Sequence, residues 1–192
     1  MTNGKKLLAV VGLAVLSLAV TPVLAGEFYV GGALGQASTD VPGATSGSGL
    51  TVDDSSTGYK VFGGYDVAKY FAVEGAYVDG GSVKMNDSSS FSSSIETSGF
   101  AFRAMGVLPL REKLHLFADL GMYKWNADAT VSDGFTTASG SDDGTDPVYG
   151  IGMGWQVMPK GHLRVEIERY DVSAEGADLN TDMISVGFAY NF

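Results

Sequence analysis

Large apolar residues and small or polar residues alternate through eight separate stretches of this chain. The last is the clearest. In Met183 to Phe192, Ile184, Val186, Phe188, Tyr190 and Phe192 fall on one face, and Met183, Ser185, Gly187, Ala189 and Asn191 on the other. A period of two places successive side chains on opposite faces, so each stretch predicts a strand. The other seven are Glu27 to Ala37, Gly58 to Val67, Tyr70 to Asp79, Gly99 to Leu108, Lys113 to Asn126, Val148 to Met158 and His162 to Val172. Strands of about ten residues cross a bilayer when tilted.

The connections carry a second pattern. Asp66 to Lys69, Pro109 to Glu112 and Pro159 to Gly161 are short, whereas Ser38 to Thr57, Gly80 to Ser98 and Ala127 to Pro147 are long and Ser173 to Asn180 is intermediate. Short turns at one end and long loops at the other predict an all-β, eight-stranded antiparallel up-and-down transmembrane β-barrel, its short turns in the periplasm. The long connections are rich in Ser, Gly, Thr and Asp. Ser88 to Ser94 is nearly all serine, and 141–146 reads S-D-D-G-T-D. Such segments bury little surface and are expected to be mobile loops.

The parity of the charged residues gives the strongest physical argument. Lys60, Glu74, Arg103, Asp119, Arg164, Glu166 and Glu168 all share the face opposite the large apolar side chains, among small residues such as Gly64, Gly150, Gly152, Ala72 and Ala101. A soluble barrel would fill its interior with the large apolar groups and turn the charges to water. A membrane barrel reverses this, and closure pairs every backbone group, which lipid requires. Tyr65, Phe71, Trp155, Tyr190 and Phe192 fall at the short-turn end, where an interfacial aromatic girdle belongs.

The amino terminus has the form of a secretory signal. Lys5 and Lys6 precede an apolar run from Leu7 to Val20, and Val23-Leu24-Ala25 supplies small residues for cleavage. The expected organisation is a signal peptide over 1–25 and one barrel domain over 26–192. The formal net charge of −10 over the full chain makes nucleic acid a poor partner. With no cysteine, disulfides are excluded.

The stretch G-Y-K-V-F-G-G-Y-D-V-A-K-Y-F-A-V-E-G-A-Y (Gly58 to Tyr77) resembles strands two and three of the OmpA-type eight-stranded membrane domain. L-H-L-F-A-D-L-G-M-Y-K-W (Leu114 to Trp125) resembles its fifth strand. The Arg164 strand and the terminal S-V-G-F-A-Y-N-F complete the resemblance over Gly26 to Phe192. It implies an integral outer-membrane protein of a Gram-negative cell with a polar, largely plugged interior. It also implies a lumenal glutamate on the third strand that exchanges basic partners to gate a narrow pore. Glu74 matches that glutamate and Arg164 the seventh-strand arginine, while Arg103 lies on the strand and face of the family's lysine. The terminal Phe192 resembles the signal by which the barrel-assembly machinery recognises its substrates. Full-length relatives carry a periplasmic peptidoglycan-binding domain; this sequence stops at the barrel, so cell-wall anchoring is not carried over.

Other chemistry is weakly supported. Small barrels that act as enzymes place a histidine, a serine and an acid at the outer end. Here His115 and His162 lie beside short turns, roughly 25 Å, a membrane thickness, from the serine-rich loops. A base must lie within hydrogen-bond reach of its nucleophile, so no catalytic residues are predicted. The S-D-D-G-T-D segment lacks the spaced ligands of a calcium loop, and no zinc pattern is present, so neither metal nor cofactor is predicted. The expected surroundings are the bilayer and lipopolysaccharide, and the expected state is a monomer. Two functions remain: a structural barrel with narrow-pore permeation through its charged lumen, or a surface adhesin or host-factor binder acting through the outer loops.

Overall fold

In the computed structural model, residues 26–40, 51–52, 55–86, 92–132, 136–174 and 177–192 are described. The expected signal peptide, most of the Ser38 to Thr57 connection and the first part of the serine run lie outside the described residues. Every described element is a strand: β1 Phe28–Asp40, β2 Thr51–Val52, β3 Ser55–Ala68, β4 Phe71–Asn86, β5 Ser92–Arg111, β6 Leu114–Ser132, β7 Thr137–Met158, β8 Gly161–Ala174 and β9 Ala177–Asn191.

All strands pair antiparallel with their neighbours, in the order β4-β3-β1-β9-β8-β7-β6-β5, and β4 pairs with β5 to close the ring. The two-residue β2 adds to the far end of β4 through Thr51–Asn86 and Val52–Met85. First and last long strands meet from Tyr29–Asn191 to Asp40–Asn180, and the Phe192 amide donates to the Phe28 carbonyl at 2.9 Å. A closed ring leaves no sheet edge unpaired, the condition for putting backbone in hydrocarbon.

The long connections differ from the expectation. Gly80 to Ser98 and Ala127 to Pro147 are mostly strand rather than irregular loop. β4 and β5 pair onward from Ser82–Glu96 to Asn86–Ser92, and β6 and β7 from Asn126–Asp143 to Ser132–Thr137. The S-D-D-G-T-D segment lies within β7. The described side chains of both connections are exposed or half-buried, as their composition predicts. A hairpin templated on a rigid barrel, however, satisfies its N–H and C=O groups along the ladder without burying side chains. The extension of β4 and β5 is offset by a bulge between Asp79 and Ser82, where Gly81 takes φ 75°, a left-handed conformation that glycine adopts without strain.

Burial is inverted relative to a soluble protein. Leu34, Phe102, Leu120 and Ile151 are 63–69 % exposed, whereas Lys60, Glu74, Arg103 and Glu168 are at most 1 % exposed. The outward apolar positions form a belt. At its upper limit Leu34 gives way to Gln36, Tyr59 to Thr57, Tyr77 to Asp79, Met122 to Lys124, Ile167 to Arg169 and Ile184 to Asp182. Tyr59, Tyr77, Phe100 and Tyr149 line this upper limit and Tyr65, Phe71, Trp155, Tyr190 and Phe192 lie at the lower end of their strands, beside the short turns. The upper aromatic row follows from the same parity, although the turn-end cluster is the denser one in the sequence.

Candidate functional site

The interior is built in layers. Four inward rings are each accommodated by an inward glycine directly opposite on the next strand: Tyr29 by Gly64, Phe62 by Gly31, Phe117 by Gly152 and His115 by Gly154. A Cβ at Gly152 would lie 2.2 Å from the Phe117 ring, and one at Gly154 would lie 2.1 Å from His115. The lumen is therefore packed ring against bare backbone, a reason for many of the glycines inside strands.

In the middle lies a layer of charge that brings together all seven residues selected by parity. Register sets Glu74 on β4 directly opposite Arg103 on β5, and the two form an ion pair. The other Glu74 oxygen accepts from Arg164 Nη1 at 2.6 Å and from the Tyr29 hydroxyl at 3.0 Å. Arg164 also pairs with Glu166. Lys60 pairs with Glu166 and, at 2.7 Å, with Glu168. Arg103 pairs with Glu168 as well, and with Asp119 at 3.5 Å. Buried charges are tolerated only when paired in this way, because an isolated one pays a desolvation penalty of several kcal/mol. Asp119 is the loosest member: its Oδ2 has no hydrogen-bond partner among the described residues.

Arg164 is held by more than charge. Its guanidinium lies 4.5 Å from the Phe62 ring centroid and 4.8 Å from that of Phe117, between two aromatic faces. Sequence reasoning missed Tyr29, Phe62 and Phe117 as parts of the site. They share the inward parity of Lys60, Asp119 and their neighbours, but the apolar-equals-outward rule passes over inward aromatics.

Above the charges the lumen is filled by Tyr123, Trp125, Val148, Tyr170 and Met183, all at most 3 % exposed. Tyr123 and Tyr170 meet edge to face at 4.9 Å, and the Trp125 indole donates to Asp146 at 2.6 Å. Below them Ala72, Met105 and Phe117 form a thinner apolar ring. At the turn end a cavity of about 570 Å³ opens, lined among others by Tyr29, Asp66, His115, His162 and Arg164. The two histidine rings stand 5.6 Å apart, at the opposite end of the strands from Ser92–Ser94 of β5.

An apolar outer belt, a closed antiparallel ring and a charged, filled interior define the class as a small β-barrel spanning the outer membrane. Within that class the chain belongs to the OmpA-like transmembrane domain family, whose pattern matches residues 24–192. The family is non-enzymatic. Outer membrane protein A of Escherichia fergusonii is 26 % identical over 178 residues, covering 86 % of this chain and 48 % of the relative. That of Klebsiella pneumoniae is 28 % identical over 183 residues, covering 86 % and 51 %. The chain thus spans about half the length of the curated relatives it matches. Among solved structures, the Ail attachment invasion locus protein of Yersinia pestis, in complex with the heparin analogue sucrose octasulfate, is similar with a TM-score of 0.64 and 17 % identity. That match covers 87 % of this chain and 99 % of Ail. Neisserial surface protein A is similar with a TM-score of 0.60 and 14 % identity, covering 86 % and 97 %. At these identities the likeness is one of fold.

Proposed function

We propose that this protein is a structural barrel of the outer membrane whose lumen is shut at rest, and that ions cross only when Glu74 changes partners. The observation that carries this reading is the fork at Glu74: one carboxylate oxygen on Arg103, the other on Arg164. Losing either arginine leaves Glu74 a partner, so the layer has two arrangements of similar charge balance. Asp119, with its open acceptor, can take up the released Arg103. The aromatic layer above keeps the resting path narrow. Signal cleavage after Ala25, delivery through the strand ending in Phe192, anchoring by the two aromatic rows and a monomeric state complete the proposal.

Planar-bilayer recording of the refolded protein tests it. The wild type is expected to give rare, small openings, and Glu74→Ala to change their frequency or size. Currents that are the same in Glu74→Ala and wild type overturn the gate.

A second reading, a surface binder, is favoured by the hairpins that rise beyond the belt, with β6 and β7 paired as far as Ser132–Thr137. They present Asp128, Asp142 and Asp143, so a polysulfate of the kind seen with Ail is repelled and a basic protein surface is the better fit.

A further inference from the structure

We propose that the outward face of β4, β5 and β6 holds a phosphorylated, multiply acylated glycolipid of the outer leaflet. Lys124 takes a phosphate, and a furrow over Gly75 takes an acyl chain.

The furrow, about 510 Å³, runs down the lipid-facing side. Its floor includes Gly75, its walls are Tyr77, Phe100, Phe102 and Met122, and Lys124 and Thr145 stand among its lining. Gly75 lies opposite Gly63 on β3 and Phe102 on β5, so two neighbouring strands present bare backbone side by side. In the lumen Gly31, Gly64, Gly152 and Gly154 are explained by the rings they face. Gly75 is not: a Cβ added there would meet nothing within 4 Å. Glycine weakens a strand interior without such a packing reason, and here the missing side chain opens space toward lipid.

Lys124 adds an independent observation. It belongs to the polar row that closes the belt on the outer side, the level of the headgroup phosphates. The other described cation of that row, Arg169, is already engaged by two hydrogen bonds of 2.6 Å to Asp182. Lys124 has Phe100 on one side and the Thr145 hydroxyl residue on the other, and no ion pair among the described residues. A cation and a hydroxyl at the outer end of an apolar furrow match an amphiphile with its headgroup outward and its chains inward. An ammonium attracts a phosphate monoester more strongly than a zwitterionic headgroup, whose own amine offsets the phosphate, which selects the glycolipid over phosphatidylethanolamine. The site is separate from the lumen and does not depend on whether the barrel conducts.

Native mass spectrometry of the refolded barrel in detergent tests the proposal, with bisphosphorylated lipid A, dephosphorylated lipid A and phosphatidylethanolamine as probes. The wild type is expected to retain one lipid A in preference to both controls. Lys124→Gln is expected to weaken retention about fivefold, the worth of one lysine near a charged lipid surface. Gly75→Leu, which fills the furrow, should abolish the preference, whereas Gly32→Leu, at an outward glycine on β1, should leave it intact. Folding of each variant is checked by heat-modifiable gel migration. Equal retention of lipid A by wild type, Lys124→Gln and Gly75→Leu overturns the site, and so does equal retention of phosphatidylethanolamine and lipid A by the wild type.

Discussion

Lys60 and Val61 are neighbours in the chain, yet Lys60 is 1 % exposed and Val61 56 %. Glu166 and Ile167 repeat the contrast on β8, at 2 % and 50 %. Each pair samples the two faces of one sheet, which meet different solvents. The outer face meets hydrocarbon, where any apolar side chain of suitable size serves and a charge is expensive. The inner face meets a narrow lumen, where a charge is tolerated only with a specific partner at a specific register position. The belt is thus determined by composition, and the lumen by pairing. Mutation should expose that difference as bulk tolerance outside and strict coupling inside.

The largest effect is expected from removing the carboxylate that two lumenal cations share. Glu74→Ala leaves Arg103 and Arg164 without their shared carboxylate and should cost about 3–5 kcal/mol, less if water enters. Equilibrium unfolding in urea with lipid vesicles, followed by tryptophan fluorescence, measures it. Glu74→Ala combined with Arg164→Ala should cost less than the sum of the two singles, because the interaction is lost once. Strict additivity would mean that the two faces do not differ in coupling.

Next comes the belt. Ile167→Arg puts a cation into hydrocarbon and should cost about 2–4 kcal/mol in the same assay. Ile167→Val should be nearly silent, since no partner is lost. A neutral Ile167→Arg would place β8 one residue out of register and exchange its faces.

Glycines separate the two faces at smaller scale. Gly152→Ala drives a methyl into the Phe117 ring and should cost about 1–3 kcal/mol, the usual range for overpacking. Gly75→Ala on the outer face meets open space and should leave the unfolding midpoint unchanged or raised, because alanine costs less chain entropy than glycine in a strand. The smallest effect belongs to the outer hairpins. Asp128→Asn, at an exposed position of β6, should stay within about 0.5 kcal/mol of wild type, while any binding partner of the outer surface would register it.

Much of this architecture was legible in the sequence because two periodicities coincide. Alternation identified the eight membrane strands, and the parity of Lys60, Glu74, Arg103, Asp119, Arg164, Glu166 and Glu168 assigned them inward before any pairing was known. The hairpin extensions were not legible. Serine, threonine and aspartate at 92–94 and 141–146 carry no apolar alternation, and their ladders are imposed by the strands beneath them. Tyr29, Phe62 and Phe117 escaped for the opposite reason: they are apolar but point inward, where only the glycine opposite makes room.

Local patterning alone establishes the class of the molecule. Period-two alternation is a local property, and a face that is apolar along all eight strands admits a single environment, lipid. Which charge meets which was decided only by the tertiary structure. Lys60 and Glu166 are 106 residues apart, and Glu74 and Arg164 are 90 apart. Nothing local selects Arg164 over Lys60 as the second partner of Glu74. Ring closure and register do, because a rigid barrel places side chains from β4, β5 and β8 at one level and excludes the water that would otherwise let any charge pair with any other.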